Sequence, residues 1–233
     1  STGFNPIVNL LAKSYYRWSE NADVVVRMPT GAGVGAGPFH SQSNEAWFTH
    51  TPGLKVVYPA FPFDAKGLLN SSINDPNPVM FFEHKALYRS ITQDVPDNYY
   101  TIELGKGNII KEGEDLTIVT YGMGVHWASE ISNEIEYSIE ILDLRTLIPL
   151  DKEIIFKSVK KTGKAIVLHE DCMTGGFGAD ISSLISEYCF EHLDAPVLRC
   201  SSLDTPVPFS NNLEINFLAK SRLKQKIIQL INY

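Results

Sequence analysis

Residues 27–45, RMPTGAGVGAGPFHSQSNE, carry glycines at four alternate positions and then the tetrapeptide His40-Ser41-Gln42-Ser43. Glycine adopts positive φ without steric cost and lets the backbone pass close to a ligand, but it loses more conformational entropy on folding than other residues. The apolar run VVV at residues 24–26 predicts a short buried strand just before the glycines. We therefore expect a functional loop at the end of a strand, where open α/β sheets place their ligands.

The segments around this loop predict alternating strands and helices. Helices are predicted at residues 6–20, 43–50 and 62–73, the second capped by Ser43, and strands at residues 24–26, 55–58 and 78–83. Strands and helices that alternate at these lengths are typical of right-handed crossovers on a parallel sheet. Because a helix precedes the first strand, we expect an upstream part of this domain that lies outside the sequence.

The second half of the chain repeats this organisation as an independent unit. Residues 91–111 are polar and rich in turn formers, which predicts a linker between a first domain at 1–90 and a second at 112–233. In the second domain, strands are predicted at residues 116–121, 138–144, 164–169 and 196–201, and helices at 124–136, 151–161, 178–193 and 218–231. Asp151 is the expected N-cap of the helix at 151–161 and Gly163 its C-terminal stop. The fold class predicted is α/β, with two three-layer domains and mainly parallel sheets.

Composition excludes several classes of protein. The 233 residues carry a net charge of −7 and contain no block rich in lysine and arginine, so neither a nucleic acid nor a membrane is expected as a partner. The three cysteines, Cys172, Cys189 and Cys200, form no C-x-x-C pair, which is typical of buried thiols in a reducing compartment. No apolar run approaches 18 residues, so a soluble, cytoplasmic protein is expected.

Two glycine motifs have competing interpretations. Residues 31–36 fit the G-x-G-x-x-G/A dinucleotide fingerprint, but Pro38 interrupts the helix that should follow, and residues 51–57 lack the acid that would hold a ribose hydroxyl. A nicotinamide site is therefore disfavoured against simple close packing of the loop. Residues 174–178, TGGFG, are either a tight turn or an anion site at a helix N-terminus, and the absence of a flanking basic residue favours the turn.

His40 is the best candidate for chemistry. It lies in the loop that follows a strand, and an imidazole exchanges protons near neutral pH. Ser41, Gln42 and Ser43 are placed to orient it or to bind polar substrate atoms. His169, at the end of a predicted strand beside Glu170, is a weaker second candidate.

Residues 71–78, SSINDPNP, join a predicted helix to a predicted strand. Their composition is that of a turn built from proline and asparagine. Carbonyl groups together with the oxygens of Asp75 and Asn77 are also hard ligands suited to a hard monovalent cation, so both interpretations remain open.

A series of motifs resembles the beta subunit, or the beta part of a fused alpha-beta chain, of the thiamine-diphosphate-dependent decarboxylase of 2-oxoacid dehydrogenase complexes. The resemblance covers nearly the whole chain and rests on RxPxG at 27–31, HSQS at 40–43, TPGLKVV at 51–57, DAKGLL at 64–69, NP at 77–78, LYR at 87–89, DLRTLIPLD at 143–151, HE at 169–170, TGGFG at 174–178, DTP at 204–206 and INY at 231–233. Transketolase and its relatives share the architecture but not the HSQS element.

The resemblance implies a domain organisation and a cofactor. The first domain would be the later part of a pyrimidine-binding domain, truncated at its N-terminus, and the second a transketolase C-terminal domain. Thiamine diphosphate and Mg²⁺ would be held largely by an alpha subunit or alpha region through a GDG…N motif, which this sequence lacks. The glutamate that contacts the aminopyrimidine would lie upstream of residue 1.

The resemblance also implies site residues, partners and a location. His40 would exchange a proton as an acyl unit passes to the lipoyl group of an acyltransferase, with Ser41 and Gln42 near that group. A potassium loop would fall on Ser72, Ile73, Asp75 and Asn77. The partners would be the alpha part, a second beta subunit and the lipoyl acyltransferase core, in bacterial cytoplasm or in the mitochondrial matrix.

The activity implied is oxidative decarboxylation of pyruvate or of a branched-chain 2-oxoacid with acyl transfer to lipoyl-lysine, and the isolated chain is expected to be inactive. The alternative is a module for dimerisation and acyltransferase docking without catalysis of its own.

Overall fold

The computed structural model describes residues 2–233, which form two α/β domains with one sheet each. The first sheet has the strand order β1-β3-β2-β7, with β1 Val25–Thr30, β2 Lys55–Val57, β3 Val79–His84 and β7 Thr146–Ile148. The second has the order β4-β6-β5-β8-β9, with β4 Asn108–Lys111, β5 Leu116–Thr120, β6 Ile139–Asp143, β8 Ala165–Cys172 and β9 Leu198–Ser202. Both sheets are parallel except that β7 runs antiparallel to β2 and β4 antiparallel to β6.

The helices cover the sheet faces and fill the connections. In chain order they are α1 Ser14–Trp18, α2 Gly37–His40, α3 Glu45–Thr49, α4 Pro62–Ile73, α5 Leu87–Ser90, α6 Met123–Ser132, α7 Lys152–Thr162, α8 Gly178–Tyr188, α9 Asn211–Phe217 and α10 Lys220–Ile231. In the second domain α6 and α10 pack on one face of the sheet and α7 and α8 on the other. This confirms the predicted α/β class with mainly parallel sheets.

Strand β3 shows how the two domains are joined. All six of its residues are buried, and successive side chains point to opposite faces. Val79 and Phe81 pack with Leu68 of α4, whereas Met80 and Phe82 belong to a core that continues into the second domain. Across this boundary Tyr58 lies with its ring centroid 5.6 Å from that of Phe82 and 5.4 Å from that of Tyr121. The two domains therefore meet in apolar packing that both sheets share.

Strand β7 belongs to the first sheet although it follows β6 of the second. Arg145 makes this crossover with a positive φ of 57°. Its backbone amide donates to Asp143 Oδ1 at 3.0 Å, and its guanidinium donates to Asp64 Oδ1 of α4 at 2.7 Å. A three-residue strand has no periodicity to detect, which is why the sequence pattern does not predict it.

Three sequence expectations are corrected in detail. The helix expected at residues 6–20 is broken into a π-helical turn Pro6–Leu10, a 3₁₀ turn Leu11–Lys13 and α1. Its apolar residues have little to pack against, since Leu10, Tyr15 and Trp18 are 52%, 61% and 49% exposed. The expected linker contributes β4 as an edge strand, and the helix expected at 178–193 ends at Tyr188, before a 3₁₀ turn Phe190–His192.

Candidate functional site

The glycine-rich loop leaves β1 and crosses to the second domain. Two of its positions require glycine because the chain has positive φ and a close neighbour there. Gly31 has φ 93°, and a Cβ on it would lie 2.2 Å from Nε2 of His84. Gly37 has φ 67°, and a Cβ on it would lie 2.2 Å from the ring of Phe209. These contacts fix the two ends of the loop against a side chain from each domain.

The amides inside the loop point at carboxylates of the second domain. The amide of Ala32 donates to Glu170 Oε1 at 2.6 Å. The amides of Gly33 and Gly35 donate to Oε1 and Oε2 of Glu214, at 2.9 and 3.2 Å. Consecutive amides in such a loop form an anion-binding concavity, and here protein carboxylates fill it. This arrangement matches the close-packing interpretation of the glycines.

His40 ends the short helix α2 and is exposed to solvent. Ser41 is buried, and its hydroxyl oxygen has no hydrogen-bond partner among residues 2–233. Gln42 has an exposed side chain, while its carbonyl oxygen accepts from Thr30 Oγ1 at 2.6 Å. The loop therefore presents His40 and Gln42 outward and is anchored through the backbone of Gln42.

Ser43 does not cap the helix that follows it. Helix α3 begins at Glu45 after Asn44, and the hydroxyl of Ser43 donates to Glu170 Oε1 at 3.2 Å instead. The cap prediction was wrong because a buried carboxylate from the second domain competes for the serine hydroxyl. Glu170 Oε1 therefore accepts from both the Ala32 amide and the HSQS segment.

A cavity of about 380 Å³ lies between the HSQS segment and the second domain. Phe39, Ser41 and Gln42 line one side, and Asp171 and Thr205 line the other. His40 itself does not line the cavity, although Phe39 and Ser41 on either side of it in the sequence do. It can hold a small ligand or the end of a flexible side chain.

Buried carboxyl groups lie behind this cavity. Burial, followed by the charge of Asp171, raises the pKa of Glu45 to about 8, although Tyr121 donates to its Oε1 at 2.8 Å. Burial likewise raises the pKa of Asp171 to about 6. Glu170 differs, because His84 Nε2 lies 2.6 Å from its Oε2: burial opposes the charge, but His84 and the Ala32 amide outweigh it and lower the pKa. At neutral pH Glu45 therefore holds its proton and Glu170 is ionised, while Asp171 takes up a proton only as the pH falls to about 6.

Sequence reasoning missed Glu45 and Glu214 as parts of the site. Glu45 contacts Tyr121, which is 76 positions away, and Glu214 contacts Gly33, which is 181 positions away. No local spacing signals contacts of that range.

A second cavity, of about 450 Å³, opens at the carboxyl ends of β2 and β3 and is also lined by Arg27 of β1. Arg27 donates to both oxygens of Glu83, at 2.5 and 2.8 Å, and the hydroxyl of Tyr88 donates to Glu83 Oε2 at 2.5 Å. Burial of Glu83 opposes its charge, but these partners lower its pKa. The carboxylate in this cavity is therefore already paired within the chain.

The predicted cation loop forms a turn after α4. The Ser72 hydroxyl donates to the Leu68 carbonyl at 2.7 Å, and Ile73 is exposed. Asp75 pairs with the ammonium group of Lys55, and its Oδ1 accepts from the Asn77 amide at 2.9 Å. Burial opposes the charge of Asp75, but Lys55 and Asn77 lower its pKa. Within residues 2–233, no group of three or more His, Cys, Asp or Glu side chains is arranged to hold a metal ion.

His169 and the TGGFG segment form packed structure. His169 is fully buried, and burial, followed by the charge of Arg199, lowers its pKa to about 4. A Cβ on Gly176 or Gly178 would lie 2.7 or 2.3 Å from the His169 ring. The amide and hydroxyl of Thr174 both donate to Asp204, which supports the tight-turn interpretation.

Comparison with known proteins gives the family. Residues 11–91 match the transketolase pyrimidine-binding domain and residues 105–222 the transketolase C-terminal domain. The chain is 42% identical over 222 residues to the 2-oxoisovalerate dehydrogenase subunit beta of Bacillus subtilis, covering 92% of the chain and 67% of that protein. It is 38% identical over 235 residues to the pyruvate dehydrogenase E1 component subunit beta of Staphylococcus aureus, covering 99% and 72%. The chain belongs to the family of 2-oxoacid dehydrogenase beta subunits.

The beta-subunit family includes mitochondrial and bacterial proteins. The 2-oxoisovalerate dehydrogenase subunit beta 2, mitochondrial, of Arabidopsis thaliana is 48% identical over 211 residues, covering 88% of the chain and 59% of that protein. The chain thus spans 59% to 72% of the length of these three relatives. Enzymes of this family depend on thiamine diphosphate.

The beta-subunit fold is also seen in a solved transketolase. The structure titled "Split gene transketolase, inactive beta4 tetramer" superposes with a TM-score of 0.76 at 22% identity, over 100% of the chain and 72% of that protein. At this identity the likeness shows the fold alone. No helix within residues 2–233 has both the length and the apolar character needed to cross a membrane.

Proposed function

We propose that the chain acts as the beta part of a 2-oxoacid dehydrogenase. That enzyme decarboxylates pyruvate or a branched-chain 2-oxoacid and transfers the acyl unit to lipoyl-lysine of an acyltransferase. The observation that carries the proposal is the position of His40: it is exposed, it ends a loop that second-domain carboxylates hold in place, and the neighbouring residues line a 380 Å³ cavity. A titratable ring on a fixed loop beside a cavity is suited to proton exchange with a bound group.

His40 would hold and release the proton that acyl transfer requires. Ser41 and Gln42 would lie near the lipoyl group, since both line the cavity and the buried Ser41 hydroxyl has no partner among the described residues. A buried hydroxyl without a partner is costly, and a ligand in the cavity can satisfy it. We assign these two residues to positioning rather than to proton transfer.

We infer that the residues the structure describes, 2–233, do not hold thiamine diphosphate by themselves. Of the carboxylates that line the two cavities, Glu83 pairs with Arg27 and Glu170 contacts His84. Within residues 2–233 no group of three or more His, Cys, Asp or Glu side chains is arranged to hold a metal ion. We propose that groups of the alpha part and of the remaining beta sequence hold the cofactor and Mg²⁺. The chemistry derived for this chain is therefore limited to His40 and its loop.

A potassium ion at the turn after α4 remains a proposal. Carbonyl oxygens and the side chains of Asp75 and Asn77 would supply hard ligands, with Ser72 and Ile73 contributing backbone oxygens. Asp75 already pairs with Lys55, so the ion would have to share or displace that ammonium group. The ion would brace the turn and take no part in the chemistry.

The proposed partners are an alpha subunit or region, a second beta subunit and the acyltransferase core, in bacterial cytoplasm or in the mitochondrial matrix. The domain limits proposed are 1–90 and 112–233, with β7 of the second segment added to the first sheet.

Reconstitution tests the proposed activity. The full-length beta polypeptide, purified with its alpha partner, is assayed with pyruvate and with branched-chain 2-oxoacids in the presence of thiamine diphosphate and Mg²⁺. The proposal expects decarboxylation of at least one of them. A correctly assembled complex that decarboxylates none of them would contradict it.

Exposed apolar residues favour a second candidate, an assembly module without catalysis of its own. Phe39, Trp47 and Phe209 are 82%, 55% and 64% exposed on the face that carries the HSQS segment. Light scattering with and without acyltransferase distinguishes this candidate from the catalytic one. An assembly module must self-associate and bind the acyltransferase. A monomer that binds no acyltransferase would exclude it.

A further inference from the structure

Glu214 is the one side chain of the second domain, among the described residues, that accepts hydrogen bonds from two amides of the glycine loop. It lies in α9 and is only 4% exposed, whereas the residues on either side of it, Leu213 and Ile215, are exposed. Its two carboxylate oxygens each accept one amide hydrogen, from Gly33 at 2.9 Å and from Gly35 at 3.2 Å. The carboxylate thus spans the middle of the loop.

The loop needs such a contact to keep one conformation. Gly33 and Gly35 are exposed and have φ of 83° and 67°, a conformation that an unrestrained glycine leaves readily. No heavy atom would lie within 4 Å of a Cβ on Gly33, so side-chain packing does not hold it. Hydrogen bonds from amides to a carboxylate are roughly twice as strong as neutral ones, and the carboxylate that accepts these two belongs to the buried side chain of Glu214.

The contact lies between β1 and His40. Gly31 is fixed on His84 and Ala32 on Glu170 at the start of the loop, and Gly37 on Phe209 at its end. Between these anchors lie Gly33 and Gly35. Among the described residues, Glu214 is the only side chain that accepts hydrogen bonds from their amides. Movement of that span would shift α2 and with it the imidazole of His40.

We propose that Glu214 is a positioning residue that orders the glycine loop and so fixes His40 for acyl transfer. The effect on acyl transfer rests on the function proposed for His40, whereas the ordering of the loop does not. Glu214 does not line the cavity beside the HSQS segment, so we assign it no contact with the substrate. Its role is carried by the amides of Gly33 and Gly35.

The test uses the full-length beta polypeptide assembled with its alpha partner. Glu214→Ala removes both acceptors, Glu214→Gln keeps one, and Asn212→Ala on the same helix is the matched control because the Asn212 side chain is exposed. Amide hydrogen exchange is measured on peptides that cover residues 31–39. We expect exchange of the Gly33 and Gly35 amides to rise about tenfold in Glu214→Ala, less in Glu214→Gln, and to stay unchanged in Asn212→Ala.

Kinetics are measured on the same proteins. We expect Glu214→Ala to lower kcat for lipoyl acylation about fivefold or more, with KM for the 2-oxoacid and decarboxylation with an artificial acceptor unchanged. Unchanged exchange in Glu214→Ala overturns the proposal whatever the kinetics show. Faster exchange with undiminished acylation overturns it too, provided that His40→Ala does lower acylation.

The proposed function can fail separately. Suppose that His40→Ala leaves acylation unchanged while Glu214→Ala still speeds amide hydrogen exchange in the loop. That result would support the ordering of the loop by Glu214 and contradict the function proposed for His40.

Discussion

Nε2 of His84 lies 2.6 Å from Oε2 of Glu170, and this buried contact joins the end of β3 in the first domain to β8 in the second. The same histidine ring supports Gly31, and the other oxygen of Glu170 binds the Ala32 amide and the Ser43 hydroxyl. One carboxylate therefore connects the third strand, the start of the glycine loop and the HSQS segment. The position of His40 depends on the packing of the domains against each other.

Substitution of Gly31 tests this packing. In Gly31→Ala the new Cβ would lie 2.2 Å from His84 Nε2, at a φ of 93°, so the ring must move and its contact with Glu170 weakens. We expect a loss of about 3 kcal/mol in the free energy of unfolding. Gly33→Ala is the control, because its φ is 83° but no atom lies within 4 Å of its Cβ. It should lose about 1 kcal/mol from backbone strain alone.

Urea denaturation of the purified variants measures both losses. Equal destabilisation by the two substitutions would show that the His84 contact does not constrain the loop.

Burial of Glu45 predicts how stability depends on pH. The pKa of Glu45 is raised to about 8 in the folded chain, mainly by burial, against an ordinary value of 4.5. Between these values the folded state binds the proton more tightly than the unfolded state, so this contribution to stability is complete below pH 4.5 and falls as the pH rises to about 8. Glu45→Gln should remove that part of the pH dependence while it keeps an acceptor for Tyr121.

Urea denaturation at pH 5, 6.5 and 8 makes the comparison. We expect the free energy of unfolding of Glu45→Gln, relative to that of the parent protein, to increase as the pH rises. A constant difference at the three pH values would mean that Glu45 does not hold its proton.

The ion pair between Arg145 and Asp64 joins α4 to the crossover between the sheets. The two side chains are 15% and 4% exposed, and the guanidinium Nη2 lies 2.7 Å from Asp64 Oδ1. Arg145→Ala would leave a buried carboxylate without its cation, which costs about 3 kcal/mol. Lys224→Ala, which breaks the exposed pair with Glu134, should cost at most about 0.5 kcal/mol.

Thermal or urea denaturation of both variants checks this difference. Similar small losses would indicate that water reaches Asp64 and that the pair does not hold the domains together.

Local patterns predicted the elements whose determinants are local. The helix expected at residues 62–73 is α4, with those bounds. Asp151 caps α7 by accepting from the Ile154 amide at 3.3 Å, and Gly163 ends it with φ 68°. Proline at a first turn, a capping carboxylate and a terminal glycine act within a few residues, so the sequence alone reveals them.

The site depends on contacts that no local pattern contains. The glycine loop and His40 stood out because glycine and histidine are chemically distinctive. The partners of the loop amides, Glu170 and Glu214, come from the second domain. The cap predicted for Ser43 was wrong because its hydroxyl makes a long-range contact with Glu170 instead. Strand β7 was missed for a related reason, since its three residues are placed by the Arg145 crossover and not by their own periodicity.

The central claim is that His40 serves acyl transfer to the lipoyl group. The direct measurement compares His40→Ala with the parent protein, in the full-length beta polypeptide assembled with its alpha partner, for two activities. The first is reductive acylation of a lipoyl domain and the second is decarboxylation with an artificial electron acceptor. His50→Ala, at another exposed histidine just after α3, is the matched control. We expect acylation to fall about 100-fold or more in His40→Ala, since general acid-base catalysis contributes factors of this size, while decarboxylation is largely retained. Equal loss of both activities, or of neither, would contradict the role given to His40.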